Sequence, residues 1–140
     1  MLNKKDEIIK KLNNTFCRLQ PSAISGVGVF AIRDIQKNIN PFKGVRNHRW
    51  HKFDISELKE LDKAVLKMAE DFYVADENKT IWIPECALNG MDISFFLNNS
   101  KSPNLKTIDG GLTFITLREI KKGEELTISY NTYDLNNRWA

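Results

Sequence analysis

The spacing of apolar residues predicts one long helix in the middle of the chain. Between Asp54 and Phe72 the apolar residues recur at gaps of three and four positions, which places them on one stripe of a helix. Asp54 is a suitable N-cap, and Glu57 three residues later completes a capping box. We therefore expect a continuous helix over residues 54–72 with its apolar stripe against the core. The stripe consists of Ile55, Leu58, Leu61, Val65, Met68, Ala69 and Phe72.

The rest of the pattern predicts short strands separated by turns. In the last β-prone segment Leu126, Ile128 and Tyr130 alternate with Thr127 and Ser129, as in a strand with two different faces. An Asp-Gly-Gly sequence at 109–111 suits a hairpin turn between two other segments. Residues 1–14 are polar and lysine-rich, and they predict a short helix or a loose arm. The β-prone segments are 15–19, 29–32, 80–83, 105–108, 112–117 and 125–130.

Composition limits the chain to one ordinary globular domain. Its 140 residues are 41% hydrophobic and 28% charged, so disordered, collagenous and coiled-coil proteins are poor matches. No apolar run approaches the roughly 20 residues that span a bilayer, and the first residues do not resemble a signal peptide. We expect an N-terminal arm over 1–14, a single domain over 15–140, an intracellular location and no membrane partner.

Metal and nucleophile chemistry finds little support in the sequence. Cys17 and Cys86 are too few for a disulfide framework or a four-ligand zinc site, and we interpret both as buried small hydrophobic residues. His48 and His51 could ligate a metal from one helical face, but only Asp54 lies nearby to complete the set. We expect no metal.

A basic cluster precedes the predicted helix. It could bind an anionic partner with Trp50 as a stacking surface, or it could be a solvated loop. We favour the loop, because the net charge is only +3 and the remaining lysines are scattered, so no direct nucleic-acid partner is expected. The cluster contains Lys43, Arg46, His48, Arg49, His51 and Lys52.

Three segments, in a fixed order, resemble the motifs of the SET domain, the fold of many protein-lysine methyltransferases. Gly26-Val27-Gly28-Val29-Phe30-Ala31 matches the family's GxG motif and the strand that follows it. Asn98-Asn99-Ser100-Lys101-Ser102-Pro103-Asn104 matches Asn-His-Ser-x-x-Pro-Asn. Gly123-Glu124-Glu125-Leu126-Thr127-Ile128-Ser129-Tyr130 matches the closing Gly-Glu-Glu-Leu-Thr-x-Asp-Tyr. The resemblance covers roughly residues 15–139 and is closest to small stand-alone viral and bacterial members.

The resemblance implies a mainly β fold. Short strands form several small sheets of the β-clip type, the C-terminal segment packs in a knot-like arrangement, and the helix near 54–72 is inserted. A variable insert at about residues 40–79 would set specificity, and a short C-terminal tail would follow the core.

The resemblance also implies a function: S-adenosylmethionine-dependent methyl transfer to a lysine amine of a protein, histone tails being one option. The glycine-rich backbone and the Asn98 side chain would bind the methionine part of the cofactor, and the backbone of Asn99 would meet the adenine. Tyr130 would be the catalytic tyrosine. Because the zinc-binding flanks of many members are absent, another aromatic residue would cover the cofactor. The tail offers Tyr133 and Trp139, of which we favour Trp139, with simple core packing as the alternative. The cofactor-binding residues so implied are Gly26, Val27, Gly28, Asn98, Asn99 and Trp139.

Several alternatives stay open. Asn99 stands where the family has His and Ser129 where it has Asp, so an inactive SET-like module that binds a peptide or partner protein is the second hypothesis. Tyr73 is either a second channel tyrosine or, as we favour, a core residue. A homodimer is a further option. Acidic residues that could line a peptide groove are Glu85, Asp92, Glu124 and Glu125.

Overall fold

A computed structural model of the protein describes residues 3–43, 49–108 and 113–130. As the sequence predicts, short strands in small sheets dominate, and the N-terminal segment takes the helical one of its two alternatives. The helices are α1 (Lys4–Asn13) and α2 (Lys63–Phe72), and the 3-10 helices are Ile55–Leu58, Leu88–Gly90 and Ile93–Phe96. The strands are β1 (Cys17–Pro21), β2 (Val27–Ala31), β3 (Trp50–Asp54), β4 (Thr80–Pro84), β5 (Asn98–Asn99), β6 (Leu105–Thr107), β7 (Phe114–Thr116) and β8 (Glu125–Ile128).

The main sheet brings together strands that are far apart in the sequence. Its strand order is β1-β2-β8-β5, and two further sheets pair β3 with β4 and β6 with β7. Strand β8 runs antiparallel to β2, with Val29 opposite Leu126, and parallel to β5, with Asn98 opposite Thr127. All three motifs therefore lie on three adjacent strands.

The prediction of one continuous helix over residues 54–72 is wrong. Its capping box exists, since Glu57 Oε2 accepts from the Asp54 amide (2.8 Å) and Asp54 Oδ1 from the Ser56 amide (2.9 Å), but it begins a 3-10 helix that ends at Leu58. A second N-cap, Asp62, then accepts from the Ala64 amide at 2.9 Å and begins α2. Two capping aspartates eight positions apart favour two short helices.

The break also separates the predicted stripe. Leu58 and Ala69 are buried, whereas Val65 and Met68 are 41% and 37% exposed. The apolar residues on the two sides of the break do not share one continuous helical face, because the break shifts the phase of the helix. The expected core-facing stripe is therefore only partly in the core.

Two apolar clusters hold the fold together. The larger one lies against the main sheet and includes Val29, Leu126 and Ile128, which are fully buried. The smaller one joins α2 to β4 through Ala69, Tyr73 and Ile81, with Leu58 from the 3-10 helix. Thr127 is also buried, so both faces of β8 are covered.

Other expectations need smaller corrections. The residues from Trp50 onward, interpreted as part of a solvated loop, form strand β3 and pair with β4. Cys17 is buried as expected, but Cys86 is only partly buried. The hairpin turn at 109–111 and the C-terminal tail lie outside the described residues. The GxG segment and the closing segment, for which a knot-like packing is expected, are paired as β2 and β8. Among the residues described, no helix has the length and apolar character needed to cross a membrane.

Candidate functional site

The turn before β2 depends on two glycines for two different physical reasons. Gly26 has φ +47°, a left-handed conformation that favours glycine, and its carbonyl accepts from the Ser22 amide at 2.9 Å. Gly28 has no such conformation, but it faces the side chains of Glu125 and Asn98 so closely that a Cβ would overlap Glu125 Oε2. Gly26 is therefore needed for the conformation of the turn, and Gly28 is needed for the close approach of the Glu125 and Asn98 side chains to the backbone.

The Asn98 amide lies at the centre of a cluster of oxygen atoms. Its Nδ2 atom is 2.9 Å from Glu125 Oε2 and 3.1 Å from each of Ser22 Oγ, the Ser25 carbonyl and the Val27 carbonyl. An amide nitrogen carries two protons, so four acceptors exceed what it can satisfy. Some of these oxygen atoms can therefore accept a hydrogen bond from another donor, and one of them belongs to the Glu125 carboxylate. This chemistry suits a positively charged group such as an ammonium.

Tyr130 is tied to the segment that contains Asn98. Its backbone amide donates to Asn99 Oδ1 at 2.8 Å, and its hydroxyl donates to the Leu97 carbonyl at 2.7 Å. A hydroxyl has one proton and two lone pairs, so it can accept hydrogen bonds as well as donate one. The structure thus places the predicted catalytic side chain beside the predicted cofactor segment.

Asn104 is a structural residue of the site to which the sequence reasoning assigned no role. It is 3% exposed, its Nδ2 donates to the Glu125 carbonyl at 2.8 Å, and its Oδ1 accepts from the Thr127 amide at 2.8 Å. The side chain therefore pairs with the backbone of β8 as a neighbouring strand would. The only sequence signal was its place at the end of the second motif.

Residues 26–131 match the family model of the SET domain. The chain belongs to the SET domain family. No match to this chain was found among curated proteins.

Solved structures agree with this fold. The SET chain is similar to a candidate histone methyltransferase of Plasmodium falciparum, with 17% identity, a TM-score of 0.52, and coverage of 83% of this chain and 93% of that one. It is also similar to a chain of a humanized mutant of Chaetomium thermophilum Polycomb Repressive Complex 2 bound to the inhibitor GSK126, with 20% identity and a TM-score of 0.56. That match covers 88% of this chain and 16% of the other. At these identities the similarity shows the fold alone.

Tyr73 belongs to the second apolar cluster of the SET domain. It is 5% exposed, and its ring packs edge-on against Phe95 with the centroids 6.2 Å apart. Burial raises the pKa of its phenol to about 12, and the charge of Cys86 adds to the shift. These contacts favour the interpretation of Tyr73 as a core residue.

Some of the remaining candidate residues contact other residues of the same chain, and others lie outside the described residues. Glu85 lies 2.8 Å from His51 Nε2 and 3.8 Å from Arg49 Nε, so two members of the basic cluster face an acid of the same chain. Glu124 pairs with Arg118 at 2.9 Å. Within the described residues no group of three potential metal ligands occurs. The residues that lie outside are Arg46, His48, Tyr133 and Trp139.

Proposed function

We propose that this SET domain transfers a methyl group from S-adenosylmethionine to a lysine side chain of a protein substrate, histone tails being the first candidates. One observation carries the proposal: strand β8 lies between β2 and β5, which brings the Gly26–Gly28 turn, Asn98 and Tyr130 to one end of one sheet. A cofactor-binding turn and a hydroxyl aligned next to it are what methyl transfer requires.

The oxygen cluster around Asn98 fits the amino-acid end of the cofactor. The carbonyls of Ser25 and Val27 converge on the Asn98 amide, and Gly28, which has no Cβ, leaves room for the Glu125 carboxylate beside them. The Gly26, Val27 and Gly28 backbone and the Asn98 side chain would hold this end, and the Asn99 backbone would meet the adenine. When bound, S-adenosylmethionine supplies a methyl group on a positively charged sulfur.

Tyr130 would orient the methyl-accepting amine. A lysine must be neutral to act as a nucleophile, and removal from water lowers its pKa. The Tyr130 hydroxyl donates to the Leu97 carbonyl, which fixes its position, and a phenol oxygen is a group that can accept a hydrogen bond from an amine. The side chain of Asn99, at the position of the family's His, supports this arrangement by accepting from the Tyr130 amide.

The test is transfer of a labelled methyl group to histones and to proteins of a cell lysate. Tyr130→Phe removes the hydroxyl. We expect a loss of roughly tenfold to a hundredfold in kcat/KM, the range for a hydrogen bond to a charged group, because the amine gains positive charge as it attacks the methyl group. Tyr73→Phe removes the same atom from the second apolar cluster and serves as the control, with kcat/KM close to wild type. Full activity of Tyr130→Phe would contradict the role of Tyr130.

Calorimetric titration with S-adenosylhomocysteine separates the proposal from the inactive-module hypothesis. We expect binding by the wild-type chain and by Tyr130→Phe. Binding without methyl transfer to any lysine would favour a peptide- or partner-binding module. Failure of the wild-type chain to bind would count against the enzyme.

A further inference from the structure

We infer that Ser22 and Glu125 act together as positioning residues that fix the orientation of the Asn98 amide for cofactor binding. The inference rests on the proposed function, since it concerns the same site. Neither residue was assigned to cofactor binding by the sequence motifs. They are 103 positions apart in the chain and meet only because β2 pairs with β8.

Glu125 is held in place from several directions. The Ser22 hydroxyl lies 2.8 Å and 3.0 Å from the two carboxylate oxygens, and Asn98 Nδ2 lies 2.9 Å from Oε2. The Glu125 backbone is fixed as well. Its carbonyl accepts from Asn104 Nδ2, and in the sheet Glu125 lies opposite Phe30 of β2. The carboxylate thus has a defined position rather than that of a free surface side chain.

Ser22 is itself oriented by the turn. Its Oγ accepts from the Ile24 amide at 2.9 Å, so the hydroxyl proton points to the carboxylate of Glu125. The hydrogen bonds therefore run in one direction, from the Ile24 amide through the Ser22 hydroxyl to the carboxylate, where the Asn98 amide also donates.

This arrangement decides which end of the Asn98 amide faces the cluster. An asparagine side chain can rotate by half a turn and exchange its oxygen with its nitrogen. A carboxylate and a backbone carbonyl can only accept, and Asn98 meets Glu125, the Ser25 carbonyl and the Val27 carbonyl. Only Nδ2 can face these three groups. The acceptor Oδ1 is then turned away from them and is kept in the orientation that can accept from an ammonium group.

The charge of Glu125 contributes to the same effect. Both side chains that donate to it, Ser22 and Asn98, are neutral, so these hydrogen bonds leave its negative charge in place. The neighbouring Glu124, in contrast, forms an ion pair with Arg118. A glutamine at position 125 would keep the shape but lose the charge, and it could turn an N–H group toward Asn98 Nδ2. The carbonyls of Ser25 and Val27 would then be the remaining acceptors that hold the amide, and its orientation would be fixed less firmly.

The experiment compares Glu125→Gln and Ser22→Ala with the control Glu124→Gln, which changes the adjacent carboxylate outside the cluster. We expect the Kd for S-adenosylhomocysteine and the KM for S-adenosylmethionine to rise roughly tenfold to a hundredfold in Glu125→Gln, since hydrogen bonds to a charged group are lost. The kcat at saturating cofactor and the KM for the protein substrate should stay within about threefold, because these bonds are assigned to cofactor binding only. Glu124→Gln should bind like wild type.

Two further variants extend the test, and the first of them keeps it decisive if Glu125→Gln folds poorly. Ser22→Thr retains a hydroxyl and should restore the affinity that Ser22→Ala loses. The double variant Ser22→Ala/Glu125→Gln should bind little worse than Glu125→Gln alone, because the two residues act as one unit. If the Kd values of Glu125→Gln and Ser22→Ala for S-adenosylhomocysteine lie within twofold of that of Glu124→Gln, the inference is overturned. The proposed function would still stand in that case, provided that the wild-type chain binds the ligand. Absence of binding by the wild-type chain would overturn both.

Discussion

Substitution of Gly28 by alanine tests whether the close approach of Glu125 explains the second glycine of the motif. The added Cβ would overlap Glu125 Oε2 and would lie 2.9 Å from Glu125 Cδ and 3.1 Å from Asn98 Nδ2. The Glu125 side chain is flexible, so we expect it to move away. Its hydrogen bonds with Ser22 and Asn98 would then be lost.

The magnitude follows from the bonds broken and the methyl group gained. Two hydrogen bonds to a carboxylate are worth about 1.5–3 kcal/mol each. Two gains partly offset this loss. Burial of the added methyl group raises the free energy of unfolding by about 0.8 kcal/mol. The lower chain entropy of alanine in the unfolded state raises it by about 0.4–1 kcal/mol. We therefore expect Gly28→Ala to lower the free energy of unfolding by about 1–5 kcal/mol.

Urea denaturation of a double-mutant cycle measures this effect. In the Glu125→Ala background the carboxylate is absent, and Gly28→Ala should cost less than about 1 kcal/mol. Gly26→Ala is the matched control: its Cβ would meet no atom within 4 Å, but φ is +47°. Backbone strain of about 1–2 kcal/mol should then appear equally in both backgrounds. The reasoning is refuted if Gly28→Ala costs the same with and without Glu125.

Two further predictions concern stability. Asn104→Ala removes both hydrogen bonds of a buried amide to β8 and should lower the free energy of unfolding, measured by urea denaturation, by about 2–4 kcal/mol. The control Asn99→Ala removes an exposed side chain and should cost less. An equal loss in the two variants would contradict the role assigned to Asn104. Burial raises the pKa of the Cys17 thiol from 9.0 to about 12, so its neutral form stabilises the fold fully below the unfolded pKa, and this contribution is lost as pH rises toward 12. The urea midpoint of the wild-type chain and of Cys86→Ala should fall more steeply with pH in that range than that of Cys17→Ala, and parallel profiles would count against the shift.

The local elements were largely predictable because they depend on neighbours in the sequence. The β-prone runs at 80–83 and 125–130 predicted β4 and most of β8, and two residues three positions apart predicted the capping box at Asp54. The helix after Asp54 was predicted too long because periodicity alone does not reveal that Asp62 begins a new helix. Strand β3 was missed because its polar residues, such as His51 and Lys52, conceal a strand that depends on pairing with β4.

The sequence by itself determined the family, through three motifs whose residues and order are recognisable without coordinates, and it pointed to Gly26, Gly28, Asn98 and Tyr130. Only the tertiary structure decided how these residues act together. The Ser22–Glu125 and Asn98–Ser22 contacts span 103 and 76 positions, and no local pattern encodes a hydrogen bond across that separation. Strand pairing creates it, because β8 must enter between β2 and β5 before a carboxylate, an amide and a glycine without a side chain can occupy one small volume.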